Sequence, residues 1–168
     1  YMLHEPEPAR HMTDQQRADT IAVLGNGLIH TPNMDRLVNR GAAFTHGYST
    51  CPVCLPARYT IRTGCEPHTT GIYHNGQPDL VPEQAGAMED RCGAYLARTM
   101  SRLGYRTFGM GKFHTLSRTE DIGYEVHLRG EEMYGSQKDR ELDAYASFIA
   151  KEHPHFNFIE DFMGERSA

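Results

Sequence analysis

Residues 51–64 read CPVCLPARYTIRTG, and how this stretch is divided decides which fold to expect. Taken from Cys51, it is a Cys-x-x-Cys pair, which suits a zinc clip or a redox couple opening the helix of a thioredoxin-like βαβ unit. Taken from Cys54, it is one cysteine followed at fixed intervals by Pro56, Arg58 and a closing Thr63-Gly64. A zinc site needs a second ligand pair at comparable spacing, and Cys65 and Cys92 do not form one. The redox reading accommodates Pro52 and Val53 but gives Pro56 and Arg58 no role.

Working outward, 168 residues suit one ordinary domain, and 39% apolar with 23% charged residues indicate a globular chain able to build a core. A net charge of -5 offers no basic footprint for nucleic acid. No apolar run approaches the roughly 20 residues needed to cross a bilayer, and the residues after Tyr1 lack the order of a signal peptide. Four cysteines are too few to require a disulfide framework, so the compartment, cytoplasmic or periplasmic/secreted, stays open. Several of the ten histidines sit in polar loops, where a solvated side chain is the ordinary use.

Residues 1–11, YMLHEPEPARH, show neither strand nor helix periodicity and read as irregular. Thr31 as cap, Pro32 at the first helical position, a shared face of Met34, Leu37 and Val38, and Gly41 as stop predict a helix. A short strand over Ala42–Thr45 follows, and Tyr59–Thr63 starts a helix behind Cys54 and Arg58. From Ala87 to Leu103 the spacing of Cys92, Leu96, Met100 and Leu103 predicts one helix stopped by Gly104. Tyr105–Met110 reads as a strand leading into GKFH, and a helix spans about 138–151 with Leu142, Tyr145, Ala146 and Ile149 on one face. This alternation predicts an α/β sheet with helices on its faces, whose function gathers in loops beyond the strand ends. The loops at Thr13–Gln16, at Cys54 and at Lys112–His114 are the candidates.

Cys54-Leu-Pro-Ala-Arg, four residues, then Thr63-Gly64 resembles the sulfatase signature C-x-P-x-R-x4-T-G. MTDQQRADTI at 12–21 is similar to that family's first metal loop, TPNMDRLVNRGAAF at 31–44 to its T-P-N-x-D-x-L segment, and GYRTFGMGKFH at 104–114 to its G-Y-x-T-x-x-x-G-K-x-H segment. The resemblance implies an alkaline-phosphatase-like sandwich, a mostly parallel sheet with helices on both faces. It implies hydrolysis of a small-molecule or carbohydrate sulfate ester, with Cys54 oxidised to formylglycine by a maturation enzyme that reads C-x-P-x-R. Arg58 would hold the hydrated aldehyde or the anionic substrate, aided by the helix N-terminus behind the nucleophile. Lys112 and His114, two apart at a strand end and so on one side, would reach the sulfate and leaving-group oxygens, with His114 as base. Asp14, Gln15 and Cys54 would bind Ca²⁺, or Mg²⁺ or Mn²⁺, with Gln15 standing where many members have a second aspartate.

Each residue also has an ordinary use. Asp14 would cap a helix over RADTIAVLG, Lys112 and His114 would be exposed strand-end residues, and Arg58 would form a surface ion pair. Cys92 would pack as a small apolar group, His68 would shape the P-H-x-x-G turn, and Cys65 and Cys51 have no assigned job. The residues before the metal loop, HEPEPARH, are no core strand. Residues 115–168 hold no Asp-Asn or Asp-His segment, and Glu160 and Asp161 read as acidic surface positions. Residues 12–168 are therefore expected to be the N-terminal part of a catalytic domain whose second half is absent. Two other functions fit these residues: a phosphonate or phosphate ester hydrolase sharing the signature and an Asp-Gln loop, or a non-catalytic remnant binding an anion or a partner.

Overall fold

The computed structural model describes residues 8–76, 88–131 and 141–155. Expectations for residues 1–7, for Ala87, for 138–140 and for Glu160 and Asp161 fall outside them. The chain packs as two units, one up to Gly47 and one from Tyr48.

In the first unit, the segment expected as a helix over RADTIAVLG forms only a 3-10 turn at Ala22–Leu24, closed by Gly25 donating to the Ala22 carbonyl at 3.0 Å. Helix α1, Pro32–Arg40, begins where Pro32 predicts it, and Asp35 in its first turn complements the dipole. Thr31 stands at the N-cap but makes no side-chain cap bond. Its hydroxyl instead accepts from the Ala22 amide and donates to Asp35 Oδ1, both at 2.8 Å. Asp35 Oδ1 also accepts from the Val23 amide at 3.1 Å, so the Thr-Pro-Asn-x-Asp segment pins the 3-10 turn to the start of α1. Met34 and Val38 are half-buried, whereas Leu37, expected on the same inner face, is 71% exposed. The strand expected at Ala42–Thr45 does not form. A strand needs a neighbour for its backbone groups, and the described residues of this unit contain none.

The second unit begins with α2, Cys54–Thr63, stopped by Gly64 in the left-handed conformation at φ 73°. The helix starts five residues earlier than the Tyr59 expected, so Cys54 is its first residue. Next come α3, Pro67–Thr70, α4, Met88–Cys92, and α5, Leu96–Arg102. The continuous helix expected up to Leu103 is broken because Gly93 turns left-handed at φ 76°. The Tyr95 amide, at the N-cap of the next helix, then bonds Glu89 Oε1 at 3.0 Å. Strand β1, Phe108–Gly111, runs parallel to β2, Val126–Arg129, with Phe108 opposite Val126 and Gly111 opposite Arg129. β1 begins later than Tyr105 because the Tyr105 amide still bonds back to the Met100 carbonyl at 3.1 Å. Helix α6, Ala144–Glu152, is capped by Asp143, whose side chain accepts from the Ala146 amide at 2.8 Å. Of its expected inner face Ala146 is buried, while Tyr145 and the preceding Leu142 are exposed.

The α/β expectation thus holds, with a small parallel sheet and helices packed around it. One core joins Leu55 and Tyr59 of α2 to Ile72, Met88, Tyr95, Phe113 and Ile122, with Cys92, Leu116 and Tyr124 against it. Each large apolar side chain there contributes roughly 1.5–3 kcal/mol relative to exposure. Gly109 marks a close approach within it: a Cβ there would meet the Phe113 ring at 2.8 Å and Tyr124 at 3.0 Å.

Candidate active site

Cys54 and Arg58 lie four residues apart on α2, hence on one face of the helix. The Cys54 thiol is free and half-buried. The helix N-terminus is less open than an isolated one, because Leu55 N–H is taken by Asn75 Oδ1 at 2.9 Å. Pro56 has no N–H, and Ala57 already donates to the Val53 carbonyl at 3.0 Å. The macrodipole remains, but an anion here depends on side chains for most of its donors.

Those side chains arrive through a long-range bond. Arg58 is not the surface arginine of the ordinary reading: it is 5% exposed, and its Nη1 donates to the Lys112 carbonyl at 2.5 Å. Arg62, one turn on, donates from Nη2 to the Phe113 carbonyl and lies over the Tyr59 and Phe113 rings. Two guanidinium groups of the signature helix therefore grip the backbone of the G-K-F-H segment. Sequence reasoning named Arg58 and missed Arg62, whose only signal was a second arginine one turn along the same helix.

Lys112 and His114 do not lie on a strand, so alternation along a strand is not what brings them together. β1 ends at Gly111, left-handed at φ 98°, and the last ladder bond runs from the Gly130 amide to the Gly111 carbonyl at 2.9 Å. His114 itself sits at φ 49°, a conformation that costs a non-glycine residue about 1 kcal/mol or more. Burial, followed by the charge of Lys112, pulls the His114 ring below its ordinary value of 6.5, against the opposing charge of Glu131. The imidazole is accordingly neutral near pH 7. Its Nδ1 is buried and has no hydrogen-bond partner among the described residues, and a buried orphan of that kind suits a group that completes its bonding with a ligand.

Behind this turn Tyr59 donates its hydroxyl to Glu120 and accepts from the Leu116 amide at 3.0 Å, while Tyr95 donates to the same carboxylate at 2.5 Å. Burial and then Glu120 push both phenols well above their ordinary range, so they act as fixed donors. His68 forms an exposed pair with Glu66 at 3.3 Å, beside the α3 turn that ends at Gly71, and Cys51 bonds the Tyr73 carbonyl at 3.6 Å. Cys92 packs against the core as expected, and Cys65 Sγ approaches its carbonyl at 3.7 Å.

Asp14 and Gln15 belong to the first unit, in an exposed bend where Gln15 is left-handed at φ 54°. No helix starts behind Asp14, since the first helical turn follows Ile21, so the capping alternative falls. Carboxylate and amide oxygens are the right chemistry for a hard divalent cation. Their number is too small, and no group of three or more His, Cys, Asp or Glu among the described residues is placed to hold a metal ion. The described residues alone do not make a cation site.

Comparison with known proteins gives a consistent answer. The family model described as Sulfatase matches residues 12–161. An N-acetylglucosamine-6-O-sulfatase of Bacteroides thetaiotaomicron is 28% identical over 128 residues, covering 76% of this chain and 21% of that protein. A sulfatase of Formosa agariphila is 36% identical over 91 residues, 51% of this chain and 17% of that one. An arylsulfatase of Clostridium perfringens is 28% identical over 153 residues, 86% of this chain and 30% of that one. The chain spans less than a third of the length of each of these relatives.

Proposed function

Because the chain belongs to the sulfatase family, we propose that it forms part of a sulfuric ester hydrolase whose nucleophile derives from Cys54. The observation that carries this reading is the Arg58–Lys112 bond, which ties the signature helix to the G-K-F-H turn across the core. As formylglycine in its hydrated form, residue 54 supplies two hydroxyls on one carbon, one to attack sulfur and one to expel sulfate. Arg58 holds the Lys112 backbone and lends positive charge one turn from residue 54. The Lys112 ammonium neutralises the sulfate oxygens. His114, neutral at working pH, takes a proton at Nδ1 from the second hydroxyl as sulfate departs. Asp14 and Gln15 would offer carboxylate and amide oxygens to Ca²⁺, or Mg²⁺ or Mn²⁺; no step is assigned to the ion.

Pro56 and Arg58 are buried in the folded chain. A maturation enzyme that reads Cys54, Pro56 and Arg58 must therefore act before α2 packs. Mass spectrometry of the Cys54 peptide after co-expression with such an enzyme tests the proposal. An aldehyde in place of the thiol is expected, with faster turnover of an aryl sulfate than of an aryl phosphonate. An unmodified thiol would overturn it, and the opposite rate order would favour phosphonate ester hydrolysis, for which the Asp14-Gln15 pair is suited.

A further inference from the structure

Sequence reading passed over Glu131, two residues beyond β2. We propose that Glu131 is the positioning residue that fixes His114 for proton transfer, a role that rests on the function proposed above. Its carboxylate is a two-pronged clamp: Oε1 accepts from the Phe113 and His114 amides, both at 3.0 Å, and Oε2 from the His114 amide at 3.1 Å. Successive amides converge on one acceptor only when the backbone curls around it, and the left-handed φ of His114 provides that curl.

The clamp is itself held. The Glu131 side chain is 11% exposed and lies 3.9 Å from Arg129, whose side chain is 9% exposed and bonds Thr115 Oγ1 at 2.8 Å and the Glu120 carbonyl at 2.7 Å. The Glu131 amide donates to Asp143 Oδ2 at 2.6 Å, and Asp143 caps α6. α6 and β2 thereby aim one carboxylate at the turn from one side. Arg58 and Arg62 of α2 hold the carbonyls of Lys112 and Phe113 from the other. Donors are gripped from the β2 side and acceptors from the α2 side, so the peptide plane that sets the His114 ring cannot rotate without breaking charge-assisted bonds on both.

A buried carboxylate in a structural ion pair would share the burial but not the effect on turnover. Glu131→Ala and Glu131→Gln, made in the full-length protein, separate the two. Glu131→Ala is expected to move the amide resonances of Phe113 and His114 and the ring resonances of His114. It should lower kcat on an aryl sulfate by about tenfold or more, with KM within about twofold. Glu131→Gln keeps an acceptor oxygen and should bring kcat back to within about threefold of the parent; if Glu131→Ala does not fold, Glu131→Met, which keeps the volume and removes both acceptors, takes its place. Unmoved amide and ring resonances in the folded variant that lacks the acceptor would overturn the clamp. Moved amides with unchanged kcat in that variant would overturn the positioning role. If the parent protein hydrolyses no sulfate ester, the functional reading fails, while the resonances of His114 still decide the clamp.

Discussion

The unit up to Gly47 and the unit from Tyr48 carry family segments of similar clarity, yet they are held by different physics. α1 and α2 are nearly the same length, nine and ten residues. α1 buries none of its side chains, and no residue of 8–47 is buried. α2 buries Leu55, Pro56, Arg58, Tyr59 and Arg62. The first unit rests on short-range bonds among Thr31, Asp35, Ala22 and Val23, which local sequence can specify and solvent can contest. The second rests on contacts between residues some fifty or sixty positions apart, such as Arg58 to Lys112 and Tyr59 to Glu120. A motif can thus be equally readable in two places while only one of them is locked by a core, and it is the locked one that can hold reacting groups in register.

The sharpest way to break this comparison is a pair of truncations. Leu55→Ala, at a site 2% exposed, is expected to cost about 2–5 kcal/mol in urea unfolding. Leu37→Ala, at a site 71% exposed, should cost less than about 0.5 kcal/mol. Equal losses would mean that α1 is as firmly seated as α2. A second pair sets two arginines against each other. Arg58→Ala should reduce kcat of the full-length protein about a hundredfold, because it frees the Lys112 backbone as well as removing charge from the site. Arg17→Ala, which breaks only an exposed pair with Asp19 at 2.7 Å, should leave kcat unchanged.

The smallest expected effect asks how dry the interior of the second unit is. The His127 ring packs edge-on against Phe113 at 4.1 Å, and burial, then Arg129 and Arg62, pull it from 6.5 down to about 4. Between those values the unfolded chain binds a proton that the folded chain refuses. The stabilisation is therefore complete above pH 6.5 and is lost as pH falls toward 4. The ring is only half-buried, so solvent screening holds the loss to roughly 1–2 kcal/mol. His127→Phe should flatten the difference in urea midpoint between pH 7 and pH 4.5; an unchanged difference would place its origin elsewhere.

Much of the fold was legible because it is written in local chemistry. Pro32 and Gly41 bound α1, and the Gly-Tyr run leads into β1, whereas the helix read as starting at Tyr59–Thr63 is the end of α2, stopped by Gly64. The α/β class followed from the alternation of helix and strand signals, and its alkaline-phosphatase-like form is what the family resemblance implied. What misled was also local. Apolar spacing carried the helix ending at Leu103 across Gly93, where a left-handed turn interrupts it, and alternation placed Lys112 and His114 on a strand that Gly111 had already ended. Of the candidate site, Cys54, Arg58, Lys112 and His114 could be named from the signature segments. Arg62, Asn75 and Glu131 could not, since each acts on a backbone group distant in sequence, and nothing in a side chain's neighbours along the chain announces such a bond.

By itself, the sequence determined the family, the candidate nucleophile and local signals such as those that bound α1, because these depend on residue type at fixed spacing. The tertiary structure alone decided that the two arginines of α2 are buried and spent on the G-K-F-H backbone, and that Glu131 closes on the same turn from β2. The reason is that a backbone carbonyl or amide is the same in every residue; which one a distant side chain reaches is set only by how helices and strands pack.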